Sequence, residues 1–236
     1  MVQKRHTSPF TLGIDIGGTG IKMLVMDANG HPVTPYIYEL TPKPATVKAL
    51  CQVMILMIKS LKFKFQRVSA GFPGVVIDGV IKNAYNLDAS WIGINLEKKL
   101  SRLIGFPTRA ANDTDIQGYG AVTGEGVELV ITLGTGLGSA LFVDGKLVPN
   151  LQLAHIPFRE NKTYEQFLGS TAFKKNGIKK WNDNLKKAIV LWAKTFNYNK
   201  LYLGSGHAQK INFKLPPSAH LFNNVDGILG GIKLWK

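Results

Sequence analysis

Two segments of the 236-residue chain repeat each other, and the repeat limits what the chain can fold into. Residues 17–27 read Gly-Gly-Thr-Gly-Ile-Lys-Met-Leu-Val-Met-Asp, and residues 134–144 read Gly-Thr-Gly-Leu-Gly-Ser-Ala-Leu-Phe-Val-Asp. Each opens on a glycine-rich turn, runs through an apolar stretch and ends at an aspartate with a glycine within three residues. The two aspartates lie 144 − 27 = 117 residues apart, almost half the chain. Two copies of one fold unit are expected, domains 1–117 and 118–236, each opening with a β-hairpin whose turn is glycine-rich.

The rest of each half reads alike. In the first, β-rich runs at 12–16, 21–26 and 33–38 are separated by Gly and Asn-Gly turns. A helix is expected over 45–61, where Val47, Leu50, Cys51, Met54, Ile55 and Ile58 recur at helical spacing. Short strands follow at 67–71 and 108–111. In the second half, strands at 129–133, 139–143 and 146–148 repeat the opening. A helix over 184–196 and a strand at 200–203 follow, and residues 225–235 read as a closing helix that packs back on the first domain. The pattern is α/β.

Composition limits the function classes. Hydrophobic residues make up 45% and charged residues 19%, which supports a buried core and excludes wholesale disorder. The longest apolar run, residues 53–58, is far short of the ~20 residues that span a bilayer. The start, MVQKRHTSPF, carries basic residues with no apolar segment behind them, so no secretory signal is expected and the cytoplasm is the expected location. One cysteine, Cys51, excludes an internal disulfide and a cysteine-based zinc site. Net charge is +14, from 29 basic and 15 acidic residues, and attracts polyanions. Residues 159–200 alone hold 10 basic and 3 acidic side chains, read either as a solvated helix face or as a track for a long polyanion.

Three glycine-rich turns carry the chemistry. At Asp15-Ile-Gly17-Gly18-Thr19-Gly20-Ile-Lys22, backbone N–H groups can approach phosphate oxygens with no Cβ in the way. Thr19 offers a hydroxyl, Lys22 a charge, and Asp15, at the strand end, a carboxylate for Mg²⁺ through water. The turn is neither a P-loop nor a dinucleotide fingerprint, because no Gly-Lys-Ser/Thr ends it and a strand follows. Gly134-Thr135-Gly136 has the same chemistry, and two such turns from facing domains could grip one phosphate chain. Gly204-Ser205-Gly206, between a strand and an expected helix, would suit an adenosine or a further phosphate. Asn112-Asp113-Thr114-Asp115 follows a strand and opens a helix near 116–122, where Asn and Asp also serve as caps. Asp113 suits the carboxylate that orients an attacking hydroxyl and takes its proton; Asp115 is expected to be structural.

Residues 13–22, 71–74 (Gly-Phe-Pro-Gly), 83–93 (NAYNLDASWIG), 112–115 and 133–150 (LGTGLGSALFVDGKLVPN) together resemble the ROK family of sugar kinases and repressors, within the actin–hexokinase–Hsp70 superfamily. More narrowly they resemble its polyphosphate-using glucokinases. The resemblance implies two ribonuclease H-like (actin-like ATPase) domains facing across a cleft. It implies phosphoryl transfer from inorganic polyphosphate, ATP or both to the 6-hydroxyl of glucose, with Mg²⁺. Asp113 falls on the catalytic base. Asn86, Asn112, Asp113, Gln152, His155 and Glu165 fall at sugar-contacting positions. Asp15, Gly17, Gly18, Thr19, Gly20, Lys22, Gly134, Thr135, Gly136, Gly204, Ser205 and Gly206 fall on the phosphate and nucleotide loops.

The departures also matter. No cysteine cluster follows His155, so no zinc is expected. The family's Glu-Leu-Gly-His stands here as Gln152-Leu153-Ala154-His155, and loss of a charge-assisted bond from a carboxylate to the sugar would weaken binding by roughly 1.5–3 kcal/mol. An ATP-dependent kinase for another hexose (mannose or fructose) and a catalytically silent sugar-binding protein are the alternatives. A strand beginning near residue 11 leaves no helix-turn-helix, so no DNA partner is expected, and no membrane partner either. Relatives of this kind are often homodimers, for which an exposed Trp or Phe cluster in the second half would serve.

Overall fold

Both copies of the repeat become five-stranded sheets with the same strand order. The computed structural model describes residues 9–223 and 228–236. The chain forms two units: one takes it as far as Ala111 together with Gly231–Lys236, the other is Asn112–Gly230.

In the first unit, strands β1 (Thr11–Ile16) and β2 (Gly20–Met26) form the glycine-turned hairpin, and β3 (Ile37–Leu40) pairs antiparallel to β2. Helix α1 (Val47–Ser60) leads to β4 (Arg67–Phe72), parallel to β1. A small hairpin, β5 (Val76–Ile77) and β6 (Val80–Ile81), precedes helix α2 (Leu96–Ile104), and β7 (Thr108–Asn112) completes the order β3-β2-β1-β4-β7. Strands covered on both faces need continuous apolar runs, and Leu12, Ile14, Ile16, Val68, Ala70 and Phe72 are all at most 2% exposed. Helix α1 starts at Thr46, whose hydroxyl accepts from Ala49 N at 3.3 Å, and it buries Leu50, Cys51, Met54 and Met57.

The second unit opens with helix α3 (Asp113–Ala121), then β8 (Val127–Leu133), β9 (Leu137–Val143) and β10 (Lys146–Val148). A hairpin of β11 (Pro157–Arg159) and β12 (Lys162–Thr163) and the short helix α4 (Tyr164–Leu168) precede α5 (Ser170–Phe196), β13 (Lys200–Gly204) and β14 (Ala219–Leu221). The sheet order is β10-β9-β8-β13-β14, with β9 antiparallel and β13 parallel to β8. Its core gathers Leu129, Ile131, Leu133, Trp181, Leu185 and Trp192.

The structure differs from the sequence expectations at several points. The unit boundary falls six residues (117 − 111) before the expected one, because β8 and β9 claim α3: a Cβ on Gly118 would sit 2.4 Å from the Phe142 ring. The third strand is at Ile37–Leu40 rather than 33–38, since Pro35 has no N–H for a ladder and Pro32 makes only an isolated bridge to Met26. Helix α2 was not placed by sequence reasoning, although Asn95 caps it and Gly105 ends it in the left-handed conformation. Helix α5 begins at Ser170 rather than 184 and is interrupted at Gly177, φ 74°. After Gly204-Ser205-Gly206 comes only a three-residue 3-10 turn, Ala208–Lys210, in place of a helix. The following stretch has no apolar helical face, and Pro216 and Pro217 could not sit inside a helix. Of the expected closing helix, residues 225–227 lie outside the described residues, and Gly230–Trp235 is 3-10 rather than α. Trp181 and Trp192 are fully buried, and no Trp or Phe is exposed among the described residues of the second unit, so the expected aromatic contact face is absent there.

Candidate active site

Within the first unit the β1–β2 turn is closed by Gly17 N donating to Gly20 O at 3.0 Å. Its carbonyls are engaged by the segment after β3. The Thr41 hydroxyl donates to Gly17 O at 2.5 Å, Thr41 N to Thr19 O at 3.0 Å, and Lys43 Nζ to Gly18 O at 3.5 Å. A carbonyl that already accepts a hydrogen bond repels a nearby anion less, so the turn suits phosphate better than its glycines alone suggest. Gly18 lies against Asn86: a Cβ on Gly18 would come within 2.9 Å of the Asn86 Cβ. The turn and this sugar candidate are therefore neighbours, and the close approach requires glycine.

Asp15 and Lys22 face each other across the hairpin, with Lys22 Nζ 3.3 Å from Asp15 Oδ2. The sequence reading gave Lys22 to phosphate and Asp15 to Mg²⁺, whereas the structure pairs the two. Among the described residues no group of three or more His, Cys, Asp or Glu side chains could hold a metal ion. One carboxylate is a poor metal cage, but Mg²⁺ keeps most of its waters and is commonly held by one or two carboxylates plus substrate phosphates. Asp15 fits that donor set.

Within the second unit, α3 positions the candidate base. Asn112 Oδ1 accepts from Thr114 N at 2.9 Å and from Asp115 N at 3.3 Å, and the residue is buried. Its side-chain oxygen is thus the cap of helix α3. Asp113 Oδ1 accepts from Thr114 N at 2.7 Å and lies 3.4 Å from the Thr114 hydroxyl. These donors at the start of the helix fix the orientation of the Asp113 side chain. Thr114 is held in turn by the Thr132 hydroxyl at 3.0 Å. Gly138 makes room for both: a Cβ there would lie 1.9 Å from Thr114 Oγ1 and 2.3 Å from Thr132 Oγ1. Asp115 is 4% exposed, and burial pushes its carboxyl up to about 7.

The other two turns meet. His207 N donates to Leu133 O at 2.9 Å, and His207 Nδ1 lies 3.1 Å from Gly134 O. Ser205 adopts φ 72°, a backbone state uncommon outside glycine, with its side chain against Gly134. Gly134–Gly136 and Gly204–Gly206 are thus one contiguous surface. Thr135 O accepts from Ser170 N at 3.2 Å, at the start of α5.

The remaining sugar candidates are set out around β9. Ser139 Oγ donates to Leu151 O at 2.9 Å and accepts from Leu153 N at 3.1 Å, which holds the Gln152–His155 segment to the strand. Gln152 Nε2 donates to Leu151 O at 3.2 Å, next to it in the chain. Glu165 Oε2 accepts from Leu137 N at 3.2 Å, so this carboxylate anchors the exit of the second turn. Sequence reasoning did not single out Thr41, Thr114, Thr132 or Ser139. Thr114, Thr132 and Ser139 stand beside the candidate carboxylate or the second glycine-rich turn in the sequence, whereas Thr41 reaches the first turn only through the pairing of β2 with β3.

Residues 11–155 match the ROK family. The chain is 30% identical to a polyphosphate glucokinase of Mycobacterium tuberculosis, over 92% of this chain and 88% of that protein. Among solved structures, an inorganic polyphosphate/ATP-glucomannokinase from Arthrobacter superposes with a TM-score of 0.87 at 29% identity, covering 96% of this chain and 97% of that one. A ROK glucokinase from Streptomyces griseus gives 0.78 at 19% identity over 95% and 98% of the two chains, which is a likeness of fold.

Proposed function

The chain belongs to the ROK family, and from that premise we propose that it is a sugar kinase moving a phosphoryl group from inorganic polyphosphate or ATP to the 6-hydroxyl of glucose. The observation that carries this reading is the likeness to polyphosphate glucokinases over 92% of the chain, so that both glycine-turned units are included.

Each residue then has a task. Asp113 accepts the proton of the 6-hydroxyl as its oxygen attacks the terminal phosphorus, with Thr114 holding the carboxylate in place. Phosphoryl transfer asks little covalent chemistry of the protein and much positioning. The Gly17–Gly20 and Gly134–Gly136 turns, each closed by its own first glycine N–H, lie against the donor phosphates with no side chain in the way, and Gly204–Gly206 serves the far side of a nucleotide. Asp15 would hold Mg²⁺ through water, and the ion would supply charge neutralisation at the donor. Asn86, Asn112, Gln152, His155 and Glu165 offer hydrogen bonds to sugar hydroxyls, each of which must be paired once it leaves water. With Gln152 in place of a glutamate, the sugar side carries one negative charge fewer. The likeness to the Arthrobacter enzyme, a glucomannokinase by name, supports mannose as a second acceptor for this chain.

The test is a donor and acceptor panel. Glucose, mannose and fructose are each incubated with Mg²⁺ and either long-chain polyphosphate or ATP, and the hexose 6-phosphate is measured by a coupled dehydrogenase. Glucose 6-phosphate from either donor is expected. A folded protein that makes no sugar phosphate from any pair would overturn the reading.

A further inference from the structure

We propose that the second unit carries an anchoring subsite for the distal phosphates of a linear inorganic polyphosphate, separate from the turn that holds the reacting phosphoryl group. The proposal rests on polyphosphate being a donor.

A cavity of about 640 Å³ opens beside the second glycine-rich turn. Thr135 of that turn lines it, together with Arg159, Lys162, Lys175, Lys180 and Lys187. The fold explains how the charges converge. Lys175 precedes the break at Gly177 and Lys180 follows it, so the two pieces of α5 bring lysines from different directions. Lys180, Asn184 and Lys187 stand at i, i+4 and i+7, on one helix face.

The three acidic residues of the cavity are already engaged. Glu160 lies 3.4 Å from Arg159, Asp183 lies 3.9 Å from Lys186, and Glu165 accepts from Leu137 N. None of Lys162, Lys175, Lys180 or Lys187 has an ion-pair partner among the described residues. Cations gathered around a concavity repel one another and concentrate counter-anions there.

A buried group points the same way. Asn184 lines the cavity and is 4% exposed. Its Oδ1 lies 3.5 Å from Arg159 Nη1, while its Nδ2 has no hydrogen-bond partner among the described residues. The Oδ1 contact holds the Arg159 guanidinium at the cavity wall beside the lysines. Phosphate oxygens answer this set of cations, and a neutral sugar would leave the charges unanswered.

Thr135 belongs to both the donor turn and the cavity, so a phosphate chain ending at the turn continues into the cavity without leaving this unit. ATP has no phosphates to send there. The subsite therefore favours long polyphosphate and is indifferent to the nucleotide.

The test compares two triple variants of equal charge. One carries Lys175→Gln, Lys180→Gln and Lys187→Gln. The other carries Lys59→Gln, Lys64→Gln and Lys98→Gln, exposed lysines of the first unit. Glutamine and lysine have nearly equal helix propensity, so both variants should fold. End-labelled long-chain polyphosphate is titrated into each by fluorescence anisotropy, and KM is measured for long-chain polyphosphate and for ATP. The cavity variant is expected to bind the long chain about tenfold more weakly and to raise its KM in step, with ATP kinetics unchanged and the control variant near parental. Equal weakening in both variants, or none in the cavity variant, would overturn the subsite. If the parent fails to use polyphosphate at all, the donor assignment falls, and the anisotropy comparison still decides the cavity.

Discussion

Asp113 is held by its neighbours more than by its own position in the sequence. The chain runs Thr132–Thr114–Asp113, two hydroxyls and a carboxylate, and it depends on Gly138 leaving 1.9 Å where a Cβ would otherwise stand against Thr114 Oγ1. Gly138→Ala is therefore expected to cost about 1–3 kcal/mol in urea unfolding and to lower kcat at the same time, because the clash is relieved by moving Thr114. An alanine variant with parental stability and turnover would show that the contact has no role. Asp115 carries a different prediction. Its carboxyl titrates near 7 in the folded protein and near 3.8 when unfolded, so the folded state holds the extra proton between those values. Stability contributed by this group is present at low pH and declines as pH rises from about 4 to 7, by up to ~4 kcal/mol. Asp115→Asn should gain stability relative to the parent at pH 8 and show little gain at pH 4. Equal gains at both would contradict the burial argument.

At the level of elements, the two glycine-turned hairpins, α1 and the strand β8 were legible because their patterns are local: a glycine turn between apolar runs, or buried residues at helical spacing. Helix α2 is bounded by local caps, Asn95 and Gly105, whereas the long helix α5 is set by partners far along the chain. Helix α5 hides its first half behind Lys174, Lys175, Lys179 and Lys180, and its covered face there mixes Ala172, Phe173 and Trp181 with the polar Asn182. The candidate site divides the same way. Carboxylates, glycines and the Gln152 departure could be read directly, whereas the Asp15–Lys22 pairing and the bracing hydroxyls needed the register of the sheet. The C-terminal 3-10 helix is another long-range element. Trp235 stacks against Arg67 at 5.1 Å and Arg109 at 4.8 Å, and its Nε1 donates to Ser69 Oγ at 2.9 Å. Trp235→Ala is expected to lower the stability of the first unit by about 2–3 kcal/mol, read as a fall in Tm. An unchanged Tm would mean the tail does not stabilise the unit it joins.

For the whole molecule, the internal repeat and the net charge carry the meaning. Two sheets of the same order place a glycine turn in each unit. A net charge of +14 predicts that polyphosphate use is salt-sensitive, with kcat/KM for the long chain falling several-fold from low to moderate ionic strength and that for ATP falling less. Equal salt dependence for the two donors would reduce the charge to a general surface property. The claim that joins all three scales is that this fold delivers a sugar hydroxyl to Asp113. Its most direct test is single-turnover glucose phosphorylation by Asp113→Asn, with glucose affinity measured on the same preparation by calorimetry. The expected result is a rate lowered about 10²–10⁴-fold with glucose binding retained. A variant that phosphorylates glucose at the parental rate would remove Asp113 from the chemistry and contradict the mechanism.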